Sequence, residues 1–112
     1  MDEKIRRVYI PMTETGFYIL FSLQNEMHGY NIMQHVKEIT SDEIVISPGT
    51  MYGSLSKMEK DGLIRFTKEE NKRKSYLITP LGEQILQLEL KRIQRLYQNS
   101  KGERYYGIEE NA

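Results

Sequence analysis

The run Ser47, Pro48, Gly49, Thr50, followed by Tyr52, Gly53, Ser54 and Lys57, sets hydroxyls, a phenol and small residues beside a single cation. Residues of this kind on one helix face suit contact with a polyanion. Small side chains let a backbone come close to phosphates and base edges, and Ser and Thr hydroxyls pair with either. Alone, the same run also describes a capped helix facing water. The next segment gathers Arg65, Lys68, Lys72, Arg73 and Lys74, five positive charges against Glu69 and Glu70. A charge run is ordinarily a solvated face, but directly behind such a helix it reads as a clamp on phosphates.

Other chemistry finds little support. His28 and His35 stand seven apart, but two imidazoles without a third ligand make a poor metal site, so no metal or cofactor is expected. His28, Gly29 and Tyr30 read as the turn into a helix, with Gly29 permitting a close approach and no chemistry assigned. Met27, Met33, Met51 and Met58 fall at core spacings. Glu14, Glu26, Asp42 and Glu43 form no recognisable acid and base pair, and there is no GxGxxG, no phosphate-binding loop and no Ser, His and acid set. The chain contains no Cys, hence no thiolate nucleophile and no disulfide. An enzyme is not expected.

Five elements must position these residues. Thr13 caps a helix with the apolar interior Phe17, Ile19, Leu20, Phe21 and Leu23, stopping near Asn25. A second helix opens around His28 and Gly29 and turns Ile32, Val36 and Ile39 inward. Ser47 and Pro48 open the third, which buries Met51, Leu55 and Met58 and ends at Gly62, suited to a left-handed terminus. Ile64 and Phe66, then Lys74, Tyr76 and Ile78, alternate across a polar tip at Glu69 to Lys72 and predict a β-hairpin. Thr79 and Pro80 repeat the capping signal, and a helix to about Ser100 would run roughly 33 Å. Its row Leu86, Leu90, Ile93 and Tyr97 steps like the seam of two packed helices, so a second copy of the chain is the simplest cover.

The expected fold is therefore mainly α with a small β-hairpin: a winged helix-turn-helix domain plus a long C-terminal dimerisation helix. Its parts are an N-terminal arm at 1–12, the winged domain at 13–78, the dimerisation helix at 79–100 and a flexible tail at 101–112. The arm is open to two readings: Lys4, Arg6 and Arg7 reach DNA, or Ile5, Val8 and Ile10 pack on a partner chain. At 112 residues and 13.3 kDa there is room for one domain. Lys plus Arg and Asp plus Glu each count 16, so an anionic partner must meet a local patch rather than a globally basic surface. The longest apolar run, Phe17 to Phe21, is far below the roughly 20 residues that span a bilayer, and Met1 to Met12 lacks a signal-peptide core. A soluble, cytoplasmic protein without membrane association is expected.

In combination, several motifs resemble the PadR-like transcriptional regulators over Thr13 to Leu96. They are Phe17-Tyr18-Ile19-Leu20 with Leu23; His28-Gly29-Tyr30-Asn31-Ile32-Met33; Ser47-Pro48-Gly49-Thr50-Met51-Tyr52 with Leu55, Glu59 and Gly62-Leu63-Ile64; and Lys74-Ser75-Tyr76-Leu77-Ile78-Thr79 with Gly82. The resemblance implies a homodimeric winged-helix repressor on a palindromic operator in double-stranded DNA, often released by a small aromatic or cationic effector. It implies that Ser47, Pro48, Gly49, Thr50 and Tyr52 face DNA, with Lys57 and the basic hairpin nearby. A single helix after the hairpin places the chain with the small subfamily. The competing class is a winged-helix module that grips another protein and leaves the basic hairpin as ordinary surface.

Overall fold

The computed structural model describes residues 2–107. The element order is α1 (Glu3–Tyr9), α2 (Glu14–Ser22), β1 (Met27–His28), α3 (Gly29–Ile39), α4 (Pro48–Lys60), β2 (Ile64–Glu70), β3 (Arg73–Ile78) and α5 (Pro80–Ser100). Three helices begin where a hydroxyl is available to an orphan backbone donor. Thr13 Oγ1 accepts from Gly16 N at 3.0 Å, Ser47 Oγ from Thr50 N at 3.3 Å and Thr79 Oγ1 from Gly82 N at 3.1 Å. Pro follows two of these caps, at the first helical position of α4 and α5. Helix α4 ends in a Schellman turn, with Gly62 at φ +83° and Leu63 N donating to Met58 O at 2.9 Å.

The sheet is antiparallel in the order β1-β3-β2. Ile64 pairs with Ile78 and Phe66 with Tyr76, and the register slips between Phe66 and Lys68, making Thr67 a bulge. Asn71 and Lys72, at φ 51° and 63°, turn the hairpin in the left-handed region. Strand β1, absent from the sequence reading, adds two residues that pair Met27 with Tyr76 and His28 with Ser75.

The core lies where α2, α3, α4 and the first half of α5 meet the sheet. Ile19, Leu20, Leu23, Ile32, Val36, Met51, Leu55, Leu63, Ile85 and Leu86 are essentially solvent-free there. Three expectations change. The arm is largely the helix α1, capped by Asp2, and its Tyr9, Ile5 and Ile10 join the chain's own core, while Val8 stays half exposed. Ile39, expected inward, is 45% exposed, because the last turn of α3 runs past the edge of the core. Leu86, read as part of the intermolecular seam, is 0% exposed inside its own fold and cannot meet a partner. Of the tail, residues 108–112 lie outside the described residues.

Candidate nucleic-acid interface

Helix α4 turns Met51, Leu55 and Met58 inward, so Pro48, Gly49, Thr50, Tyr52 and Gly53 are left on the outside. Ser47 Oγ, besides capping the helix, donates to Thr50 Oγ1 at 3.0 Å, fixing two neighbouring hydroxyls at the exposed start of the helix. A Cβ built on Gly49 or Gly53 would meet nothing within 4 Å. Neither glycine is demanded by the packing of this chain. Ser54 lies off this face: it is half-buried and lines a recess of about 220 Å³ with Val8, Met12 and Met58, between α4, α1 and the start of α2.

Lys57 is engaged at the C-terminal end of α4. Its Nζ donates to Asp61 Oδ2 at 3.0 Å and lies 4.9 Å from the centre of the Tyr9 ring. Tyr9 Oη donates to the same carboxylate oxygen at 2.7 Å. That hydrogen bond first, and Lys57 second, hold the Asp61 carboxyl below its ordinary range. Burial first, then the Asp61 hydrogen bond and charge, push the Tyr9 phenol upward. Lys57 therefore fastens α1 to α4 while keeping a 57% exposed side chain.

The hairpin, or wing, carries the remaining cations unequally. Lys68 lies 3.6 Å from Glu26 and 3.5 Å from Glu70, so part of its charge is offset within the protein. Glu69 stands opposite Lys74 and Glu70 opposite Arg73 across the ladder. Among the described residues, neither Lys72 nor Lys74 has a carboxylate within ion-pair distance. Lys72 occupies a left-handed turn position that glycine would fill at lower cost, which puts its ammonium at the tip.

Wing and α4 meet at a recess of about 230 Å³ lined by His28, Gly29, Tyr52, Lys72, Arg73, Lys74 and Tyr76. It unites Tyr52 with three of the expected wing cations. Gly29 fits the reading of a close approach, since a Cβ there would stand 2.9 Å from the Tyr52 ring. His28, Tyr30 and Tyr76 were not read as site residues. Arg73 lies 5.0 Å from the centre of the Tyr30 ring, whose hydroxyl accepts from Gln34 Nε2 at 2.8 Å. The sequence signal for His28 was its place in the His-Gly-Tyr turn, but its nearness to the wing depends on the pairing of β1 with β3.

A second surface lies along α5. Leu90 is partly buried, and Ile93, Leu96 and Tyr97 are 38%, 50% and 63% exposed. Beside Leu90 and Ile93 a recess of about 440 Å³ is lined by Phe17, Tyr18, Glu89 and Arg92. Glu89 is fully buried, and its carboxylate accepts from Met12 N at 3.3 and 3.2 Å and is held by the Arg92 guanidinium. Among the described residues no group of three or more His, Cys, Asp or Glu is arranged to hold a metal, and no helix is long and apolar enough to cross a membrane.

A helix with a small, hydroxyl-bearing outward face, packed on a second helix and flanked by an antiparallel hairpin, defines a winged helix-turn-helix protein, here extended by a C-terminal helix. Residues 19–88 match the Transcriptional regulator PadR-like family, and the chain belongs to it. It is 24% identical over 78 residues to the Transcriptional regulator YqjI of Escherichia coli (strain K12), covering 70% of this chain and 38% of that protein. A 37.1 kDa protein in a transposon of Streptomyces fradiae is 29% identical over 70 residues, 62% of this chain and 20% of its own length. The chain thus spans well under half the length of these curated relatives. Among solved structures, a PadR-like transcriptional regulator from Bacillus cereus superposes with a TM-score of 0.67 at 25% identity, over 79% of this chain and 88% of that one. A transcriptional regulator from Clostridium thermocellum shares the fold at a TM-score of 0.69 and 23% identity, over 91% and 96% of the two chains.

Proposed function

We propose that this PadR-family regulator is a homodimeric, sequence-specific repressor that lays α4 in the major groove of an inverted-repeat operator and sets the wing on the flanking phosphates. The observation that carries this reading is the pair Gly49 and Gly53. Glycine in a helix costs up to about 1 kcal/mol relative to alanine, and nothing in the chain itself needs the missing methyl groups. A surface kept this low is explained by a body that comes close from outside. Thr50 and Tyr52 then supply polar contacts to bases and phosphates, and Lys72, Arg73 and Lys74 supply the counterion-releasing contacts. Lys57 and Lys68 contribute less, being partly engaged within the protein.

Dimerisation through Leu90, Ile93 and Tyr97, joined by Leu96, would present two copies of α4 about 34 Å apart on one side of the duplex. The recess at Phe17, Tyr18, Leu90 and Ile93 opens beside that seam, which suits a flat aromatic or cationic effector that biases the spacing of the two recognition helices. Such a protein works in the cytoplasm, where an operator is within reach. The deciding experiment is selection of bound sequences from a random duplex pool. Enrichment of an inverted repeat supports the reading, whereas no enrichment, with a partner protein retained instead, favours the protein-interaction alternative.

A further inference from the structure

The recess where the wing meets α4 and the start of α3 holds a residue, His28, to which the proposed function gives no role. His28 caps α3 through its ring: Asn31 N donates to His28 Nδ1 at 3.3 Å. An Nδ1 that accepts a hydrogen bond carries no proton, so the neutral ring bears its hydrogen on Nε2. The cap thereby fixes the tautomer and leaves one N–H to donate elsewhere. The ring is also held in place, because β1 pairs His28 with Ser75 and the imidazole stacks beside Tyr30 with centroids 6.4 Å apart. Arg73 also lies over the Tyr30 ring, 5.0 Å from its centre.

The walls of the recess are one-sided in their chemistry. Lys72, Arg73 and Lys74 contribute cations, His28 an N–H and Tyr52 a hydroxyl, while no carboxylate is among the lining residues. Glu69 and Glu70 face Lys74 and Arg73 across the ladder but do not enter it. A cavity rich in donors and poor in acceptors selects an anion, and its position between the recognition helix and the wing is where a duplex backbone would run.

We propose that this recess is a seat for one backbone phosphate per half-site, with His28 Nε2–H as a positioning donor that fixes the register of α4 in the groove. The inference rests on the DNA-binding reading, and it adds to that reading a specific anion subsite and a residue outside both α4 and the wing. Because the donor is a neutral imidazole, its contribution differs in kind from that of the cations. Removing it should weaken binding without altering the number of counterions released.

The test uses the full chain and the operator obtained by selection. His28→Asn keeps a residue that caps helices well, so α3 is retained while the ring donor is lost. The expected result is an affinity about tenfold lower per half-site, with the salt slope unchanged, against a smaller slope for Lys72→Ala. In parallel, a methylphosphonate is placed at each backbone position in turn. One position per half-site should weaken the wild type more than it weakens His28→Asn, in which only the contacts of Lys72, Arg73 and Lys74 are left to lose, the signature of a shared contact. Nitrogen-15 spectra of the wild-type imidazole give a readout that does not depend on any variant folding. They should report the Nε2–H form in the free protein and a shift of that signal when operator is added. A wild type that binds no duplex defeats the DNA-binding reading itself. A wild type that binds well, while His28→Asn binds equally or the imidazole signal ignores operator, overturns the phosphate seat alone.

Discussion

Gly53 shows how a single residue separates what the fold needs from what the interface needs. It sits in the middle of α4 with open space where a Cβ would go, and its φ does not fall among the left-handed positions. Gly53→Ala should therefore raise stability by about 0.5 to 1 kcal/mol, through helix propensity and a less flexible unfolded chain. The same methyl group should lower operator affinity by standing off the duplex. Urea unfolding and a binding titration on one preparation check both signs, and a variant that gains stability with no loss of affinity would remove the main support for a close approach. Gly29 is a contrasting case: its missing Cβ makes room for the ring of Tyr52, so its smallness serves the positioning of a neighbour.

Among the elements, α5 is fixed to the rest of the fold through Gly82. A Cβ there would lie 2.2 Å from Leu63 O and 2.7 Å from Ile78 Cγ1, and the backbone oxygen cannot swing aside. Gly82→Ala should cost about 3 kcal/mol, seen as a lower urea midpoint at constant slope. Helix α1 is tied to the end of α4 by Tyr9, Asp61 and Lys57, and this tie makes stability depend on pH at both extremes. Asp61, lowered from its ordinary 3.8, contributes stability that is present above that value and lost as acid protonates the folded carboxylate. Tyr9, raised from its ordinary 10.0, contributes stability that is full below that value and lost as alkali ionises the phenol in the unfolded chain first. Tyr9→Phe should flatten the alkaline decline and move the Asp61 carboxyl back toward its ordinary range, as carbon-detected NMR titration of the side chain would show.

At the scale of the whole molecule, the proposed dimer rests on α5. Ile93, Leu96 and Tyr97 lie exposed along its second half, and the half-buried ring ladder of Phe17, Tyr18 and Phe21 is part of α2, against which α5 packs. An apolar row of this kind is costly to leave in water, and two copies of α5 would cover each other. Ile93→Glu combined with Tyr97→Glu should give a monomer by sedimentation that keeps the wild-type circular dichroism. Its operator affinity should fall far more than its affinity for a half-site, since linking two half-sites multiplies affinity only when both are held at once. A double variant that remains dimeric would place the interface elsewhere.

The sequence alone determined those features whose physics is local. Thr13, Ser47 and Thr79 announce helix starts because a hydroxyl reaches a backbone N–H only three residues ahead, and the hairpin is legible because its alternation and its polar tip are adjacent in the chain. The cations of the wing and the small face of α4 could be listed for the same reason. Tertiary structure decided what depends on distant partners. Strand β1 exists because Met27 and His28 meet Tyr76 and Ser75, and that pairing carries His28 into the recess beside the wing. Leu86 and Ile93 share one heptad row, yet the first is sealed in the protomer core and the second faces water, because α5 outruns the domain it leaves. Glu89 looks like a surface residue in sequence and is fully buried, since its charge is met by Met12 N and by Arg92 rather than by solvent. Spacing assigns a residue to a face, but which neighbour that face meets is fixed only when remote segments pack.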